Sequence, residues 1–170
     1  MSDDDQPRTH YAGSYEARAP RGPVVVETAD TAPPAGAGDV DVWLSEWQVA
    51  EDAFVASVGE TVEWVVVPAD EAWVELLCAG RRPVRLDRDT DADATGRSGT
   101  MTVTGRVSRL DQVSTAFEPT LDEEGRGQLS PVPGGAVGHE VLSTDERRGH
   151  AGRLVGWVAR LRRATVTPRG

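Results

Sequence analysis

The chain has 170 residues and a formal net charge of −10, with 28 acids against 18 bases, every base an arginine. That length holds one domain plus an appendage, or two very small domains. The acidic balance argues against nonspecific binding to a nucleic-acid backbone. The single cysteine, Cys78, excludes an internal disulfide. The acidic start "MSDDD" lacks the positive charge of a secretory signal, and no apolar run reaches membrane-spanning length. The expectation is a cytoplasmic protein.

Residues 1–38, rich in Asp, Ala, Pro and Gly and ending in "TADTAPPAGAG", read as a disordered acidic tail. Such a composition buries too little apolar surface to offset the entropy of ordering it. The β-branched "PVVVET" at 23–28 is an exception, either a strand added to the domain or a docking motif for a partner's sheet edge. The folded domain is expected over 39–170.

In "VDVWLSEWQ", Val40, Val42 and Leu44 fall on one face of a strand and Trp43 and Trp47 on the other. A second strand, "TVEWVVVP", follows Gly59 and ends at Pro68. The period then changes. Trp73, Leu76 and Leu77 have helical spacing, with Asp70 placed to cap and Gly80 to stop a short helix. Residues 81–99 read as a loop. "TMTVTGRVSRLDQVSTAF" predicts a long strand bent by a bulge near Gly105–Leu110, where the alternation slips. "EPTLDEEGRGQLSPVPGG" reads as a loop and "AVGHEVL" as a short strand. "RLVGWVARLRRATV" fits helix and strand alike. Gly152, Gly156 and the following "TVT" favour the strand. The sum is an α+β domain: a small curved β-sheet or partly open β-barrel of about five strands with one short helix.

Trp43, Trp47, Gln48, Val58, Gly59, Val62, Trp64, Gly105 and Val107 make a Trp-x-x-x-Trp-Gln strand, a Val-Gly-x-x-Val-x-Trp strand and a later Gly-x-Val segment. This pattern over residues 39–113 resembles an actinobacterial family of small uncharacterised domains. The absence of Lys, Ile and Asn, which AT-rich codons encode, agrees with a GC-rich source. Members of that family often have a cysteine pair after the first strand. Here that place reads "VAEDAF". The resemblance implies the domain limits and supplies no activity.

Two surfaces compete as candidate sites. Trp43 and Trp47, with Glu46 and Gln48 beside them, make a stacking or protein-contact face; the alternative is that such indoles simply fill a small core, as is expected of Trp64 and Trp73. The basic C-terminal segment, with Trp157, Arg160, Arg162 and Arg163, makes a nucleic-acid patch. The alternative is pairing with residues 40–80, which carry nine acids and no base. Asp91, Asp93, Thr95 and Gly96 imitate the start of a calcium loop, but Thr102 stands where its final glutamate belongs. His139, His150, Glu140, Asp145 and Glu146 supply acid–base types without a recognised motif. Nothing implies a cofactor. The reading that follows is a non-enzymatic protein-binding module of regulatory or immunity type. Its acidic surface suits a basic protein partner. A nucleic-acid binder, or a small-molecule binder or enzyme with a pocket at the sheet's mouth, is the alternative.

Overall fold

The computed structural model describes residues 32–89, 91–92, 96–146, 148 and 152–169. Residues 1–31, with the run at 23–28, lie outside these, as do Asp93, Thr95 and His150. The elements in order are β1 (Val40–Ser45), α1 (Glu46–Glu51), β2 (Thr61–Pro68), α2 (Glu71–Cys78), β3 (Leu86–Arg88), β4 (Met101–Thr115), β5 (Phe117–Leu121), β6 (Gly127–Pro131), β7 (Val137–Val141) and β8 (Arg153–Pro168). Among the described residues eight strands and two helices thus replace the expected five and one.

Six strands form one mixed sheet in the order β2-β3-β1-β8-β4-β7, and β2 also pairs with β4. The pairings β2–β3–β1–β8–β4–β2 therefore return to their start, a five-strand hydrogen-bonded cycle. Only β1 and β3 run parallel. The long strand β4 makes the closure possible. Its first half pairs with β2, its second half with β7, and β8 follows it throughout. Register shifts at Thr104/Arg106 and Val107/Arg109 bend it where the sequence alternation slips. Gly105 sits at that bend because a Cβ there would lie 3.1 Å from Leu161 Cβ.

The C-terminal segment is a strand, as its glycines and β-branched residues imply. The helix at 70–80 also forms. The Asp70 side chain accepts from the Trp73 backbone N–H at 3.1 Å, and Ala79, just before Gly80, takes the left-handed cap conformation with φ 47°. Three segments depart from expectation. "EWQ" leaves the strand, because Ser45, the extended last residue of β1, starts α1 with Glu46 in its first turn. The 81–99 loop contains β3, too short for a period to register. The segment "EPTLDEEGRGQLSP" is not a loop but the hairpin β5–β6, a separate two-stranded sheet. Its prolines, which cannot donate to a ladder, hid it.

Alternation divides the central strands into two apolar faces. Val42 and Leu44 of β1, Trp64 and Val66 of β2, Val103 and Val107 of β4, and Trp157, Ala159 and Leu161 of β8 share one core cluster. On the opposite face Trp43, Val113 and Val158 pack under Leu77 and Cys78 of α2. Gly156 is the tight point of this second layer. A Cβ there would come 2.4 Å from Leu44 O and 2.7 Å from Trp43 Cζ2, so only glycine lets the indole lie against β8.

Gly156→Ala is therefore expected to cost about 2–3 kcal/mol through overpacking. Urea unfolding of the variant would measure it, and an unchanged midpoint would show that Trp43 has room to move.

Candidate functional site

The outward residues of β1, β8 and β4 are not all apolar. Asp41 lies directly opposite Arg160 across the β1–β8 pair. Arg160 donates from Nε to Asp41 Oδ1 at 2.8 Å and from Nη2 to Oδ2 at 2.9 Å, a two-point contact. Arg82, two residues past the turn that ends α2, donates from Nε to Asp41 Oδ2 at 3.0 Å and from Nη1 to Asp111 Oδ2 at 2.6 Å. Arg109 then holds Asp111 through Nε and Nη2 and reaches Glu140 at 3.0 Å near the surface. Asp41, Arg82, Asp111 and Arg160 are all buried. Burial pushes the Asp41 carboxyl up, but the hydrogen bonds and charges of Arg160 and Arg82 outweigh it and hold it below the usual range.

The expected pairing of the C-terminal arginines with the acidic 40–80 segment is thus present at Arg160. It stops there. Arg162 and Arg163 are exposed, whereas Trp157 is fully buried. The four residues of the nucleic-acid patch do not share a surface, because alternation turns Trp157 into the core and Asp41 binds Arg160. The tryptophan face is divided likewise. Trp43 is 5% exposed and belongs to the layer under α2, Gln48 is buried, Glu46 is half-buried, and Trp47 stands 59% exposed on α1. The helix starting at Glu46 removes Trp47 from the strand face that Trp43 occupies.

Two cavities flank these strands. One, of about 510 Å³, opens over the ion pairs and is lined by Pro33, Pro34, Arg81, Arg82, Arg85 and Arg160. The Arg160 guanidinium donates to Pro33 O there. The other, of about 680 Å³, lies at the bend of β4 and β8. Arg106, Arg162 and Arg163 line it with the hydroxyls of Thr61, Thr104 and Thr165, and no acid, histidine or aromatic ring is among its described lining residues. Of the acid–base candidates, His139 and Glu140 lie on β7 in a groove with Arg109. Glu146 accepts from the Leu142 N–H at 2.8 Å. Among the described residues no group of His, Cys, Asp and Glu has metal-binding geometry.

The hairpin β5–β6 offers a third surface. Pro119 faces Leu129, and Phe117 faces Pro131, so these four and Leu121 share one side of it. Glu118, Thr120, Gln128 and Ser130 take the other side. Leu121 and Leu129 are 72% and 67% exposed. Sequence reasoning missed these residues and Arg106. The strict alternation of "FEPTL" and "GQLSP" about an acidic, Gly-containing turn was the available signal.

Two substitutions probe the charged residues. Asp41→Asn leaves Arg160 and Arg82 buried with less countercharge and is expected to cost about 3–5 kcal/mol. Denaturant unfolding would show it, and a cost under about 1 kcal/mol would mean that water reaches the guanidinium groups. Asp87 behaves oppositely. Its Oδ1 is buried without a hydrogen-bond partner, and burial, with Asp89 nearby, raises its pKa to about 6. The folded state then keeps a proton that the unfolded chain has lost, so stability falls as pH rises from about 4 to about 6. Asp87→Asn removes that fall. The variant should gain roughly 2–3 kcal/mol above pH 7 and nothing near pH 3.5, and parallel wild-type and variant curves would refute the assignment.

No helix among the described residues is long and apolar enough to cross a membrane. No curated protein and no solved structure matches the chain. The family of unknown function DUF6578 matches residues 38–163, a span running from just before β1 into the last long strand. The chain belongs to the DUF6578 family.

Proposed function

We propose that the domain is a non-enzymatic protein-binding module that docks a basic partner through the apolar side of the β5–β6 hairpin. The observation that carries this reading is the exposure of Leu121 and Leu129 on one face of a hairpin that belongs to no larger sheet. Two strands alone are marginally stable in water, and contiguous exposed apolar residues mark contact surfaces. The turn is already ordered. Asp122 Oδ1 accepts from the N–H groups of Glu124 at 3.0 Å and Arg126 at 2.7 Å, and Oδ2 from Arg126 Nε at 2.8 Å. An ordered tip loses little entropy on binding.

Charge selects the partner. The hairpin that carries the leucines has Glu118, Asp122, Glu123 and Glu124 against Arg126 alone. A second copy would bring like charges together, whereas a basic protein surface is complementary. Trp47, with Glu46 beside it, is a second contact in this reading. A regulatory or immunity-type protein that neutralises a basic partner has these properties. In this reading the protein is cytoplasmic and its source actinobacterial, the latter in line with the absence of Lys, Ile and Asn.

The test compares wild type with Leu121→Asp/Leu129→Asp in affinity capture from host lysate, with nuclease present. The substitutions are exposed and should leave the unfolding midpoint unchanged. The wild type should retain a basic protein that the double variant loses. Equal capture by both, or capture that nuclease abolishes, would overturn the reading. A wild-type dimer that the variant converts to monomer would replace the basic partner with a second copy.

A further inference from the structure

We propose that the cavity at the bend of β4 and β8 binds a compact polyanion, a small ligand carrying two or three linked phosphate groups. Several arginines of the fold already have acidic partners. Arg82 and Arg160 hold buried carboxylates, Arg88 pairs with Asp52, Arg97 with Asp89, Arg109 with Asp111 and Arg126 with Asp122. In a chain with 28 acids and 18 arginines, acidic partners are in excess. Arg106, Arg162 and Arg163 nevertheless line one cavity that has no acid among its described lining residues. All three are exposed, and none makes a side-chain hydrogen bond or ion pair among the described residues.

The backbone makes this grouping unfavourable in the absence of a ligand. Arg106 stands directly opposite Arg162 across the β4–β8 pair, where like charges repel. A second such pair, Arg109 opposite Arg160, is compensated by Asp111 and Asp41. The first pair has no such compensation. Next to it Arg163 adopts φ 53°, the left-handed region that costs a side chain-bearing residue energy. The same bulge that bends the strands brings this third guanidinium to the cavity. Repulsion that an anion would offset, beside a strained residue that brings in the third charge, marks a site built for one.

The lining determines the class of anion. Three positive charges exceed the charge of one phosphate and suit a di- or triphosphate, whose oxygens arginine binds at two points. Thr61, directly opposite Arg106 on β2, and Thr104, opposite Thr165, supply hydroxyl donors in adjacent rows. A volume of about 680 Å³ fits a small molecule. Among the described residues the cavity has no aromatic lining on which bases would stack, and the net charge of −10 repels a long polyanion. A compact ligand avoids both penalties.

Calorimetric titration of the full chain with tripolyphosphate tests this, with pyrophosphate, sulfate and a short single-stranded DNA at matched ionic strength. One-to-one binding of tripolyphosphate is expected, weaker for pyrophosphate, weakest for sulfate and weakened by added salt. Arg106→Ala and Arg162→Ala should each lower the affinity at least tenfold, while Arg126→Ala on the hairpin leaves it unchanged. Arg163→Gly should weaken binding yet raise the melting temperature, because it removes the left-handed strain; a structural role alone does not predict that combination. No saturable binding, equal affinity in the Arg162→Ala protein, or tighter binding of the DNA through these arginines would overturn the proposal.

Discussion

The rest of the molecule depends on the pairing of Asp41 with Arg160. Hydrophobic alternation alone fixes which side of β1 faces the core, yet many registers against β8 satisfy it equally well. A buried carboxylate beside a buried guanidinium removes that freedom. A slip by two residues would set one of the two charges against an apolar neighbour, Arg160 against Trp43 or Asp41 against Val158, at a cost of several kcal/mol. Arg82 extends the constraint, since one guanidinium bridges Asp41 of β1 and Asp111 of β4. Signs alternate along Arg160, Asp41, Arg82, Asp111 and Arg109, so each charge has an opposite neighbour. Strands far apart in the chain are locked in register by electrostatics that apolar packing could not supply.

The same residues explain how α2 is held. Its apolar side covers Trp43, Val113 and Val158, and the arginines that follow it secure the exit. Arg81 donates to Cys78 O at 2.9 Å, where it satisfies the helix C-terminus, and to Gly134 O and Ala136 O ahead of β7. Arg82 reaches the ion pairs. The outer face of the central strands is therefore half apolar under the helix and half ionic beyond it. This layer, rather than surface exposure, accounts for Trp43.

How much of this could be read in the sequence follows from what each signal measures. β2, α2, β4, β7 and β8 were legible because their periods persist over several residues and α2 carries its own cap and stop. The bend in β4 was legible as a slip in alternation at Gly105–Leu110. β3 was not, since three residues carry no period. Trp47 was misplaced because a separation of four residues fits a helix turn as well as it fits a strand, and only the cap geometry at Ser45 decides between them. The C-terminal charge was read correctly in sign and in part of its use. Sequence shows that arginines at 160, 162 and 163 are available, but which of them meets an aspartate depends on register and bulge, both set by distant strands.

The bulge separates the two uses of charge in this fold. On one side of it the alternation of β8 points Arg160 into the sheet's outer layer, where Asp41 holds it. On the other, the left-handed residue Arg163 breaks the alternation, and Arg162 and Arg163 emerge at the cavity. β4 makes the matching break and continues to the hairpin. From Ser108 to Phe117 it runs on the order of 30 Å if fully extended. Both proposed contact surfaces thus grow from one strand, paired along both edges for most of its length and closed into the cycle. A strand so constrained transmits little movement, so occupancy of the cavity and docking of the hairpin should act as independent events on a shared rigid frame.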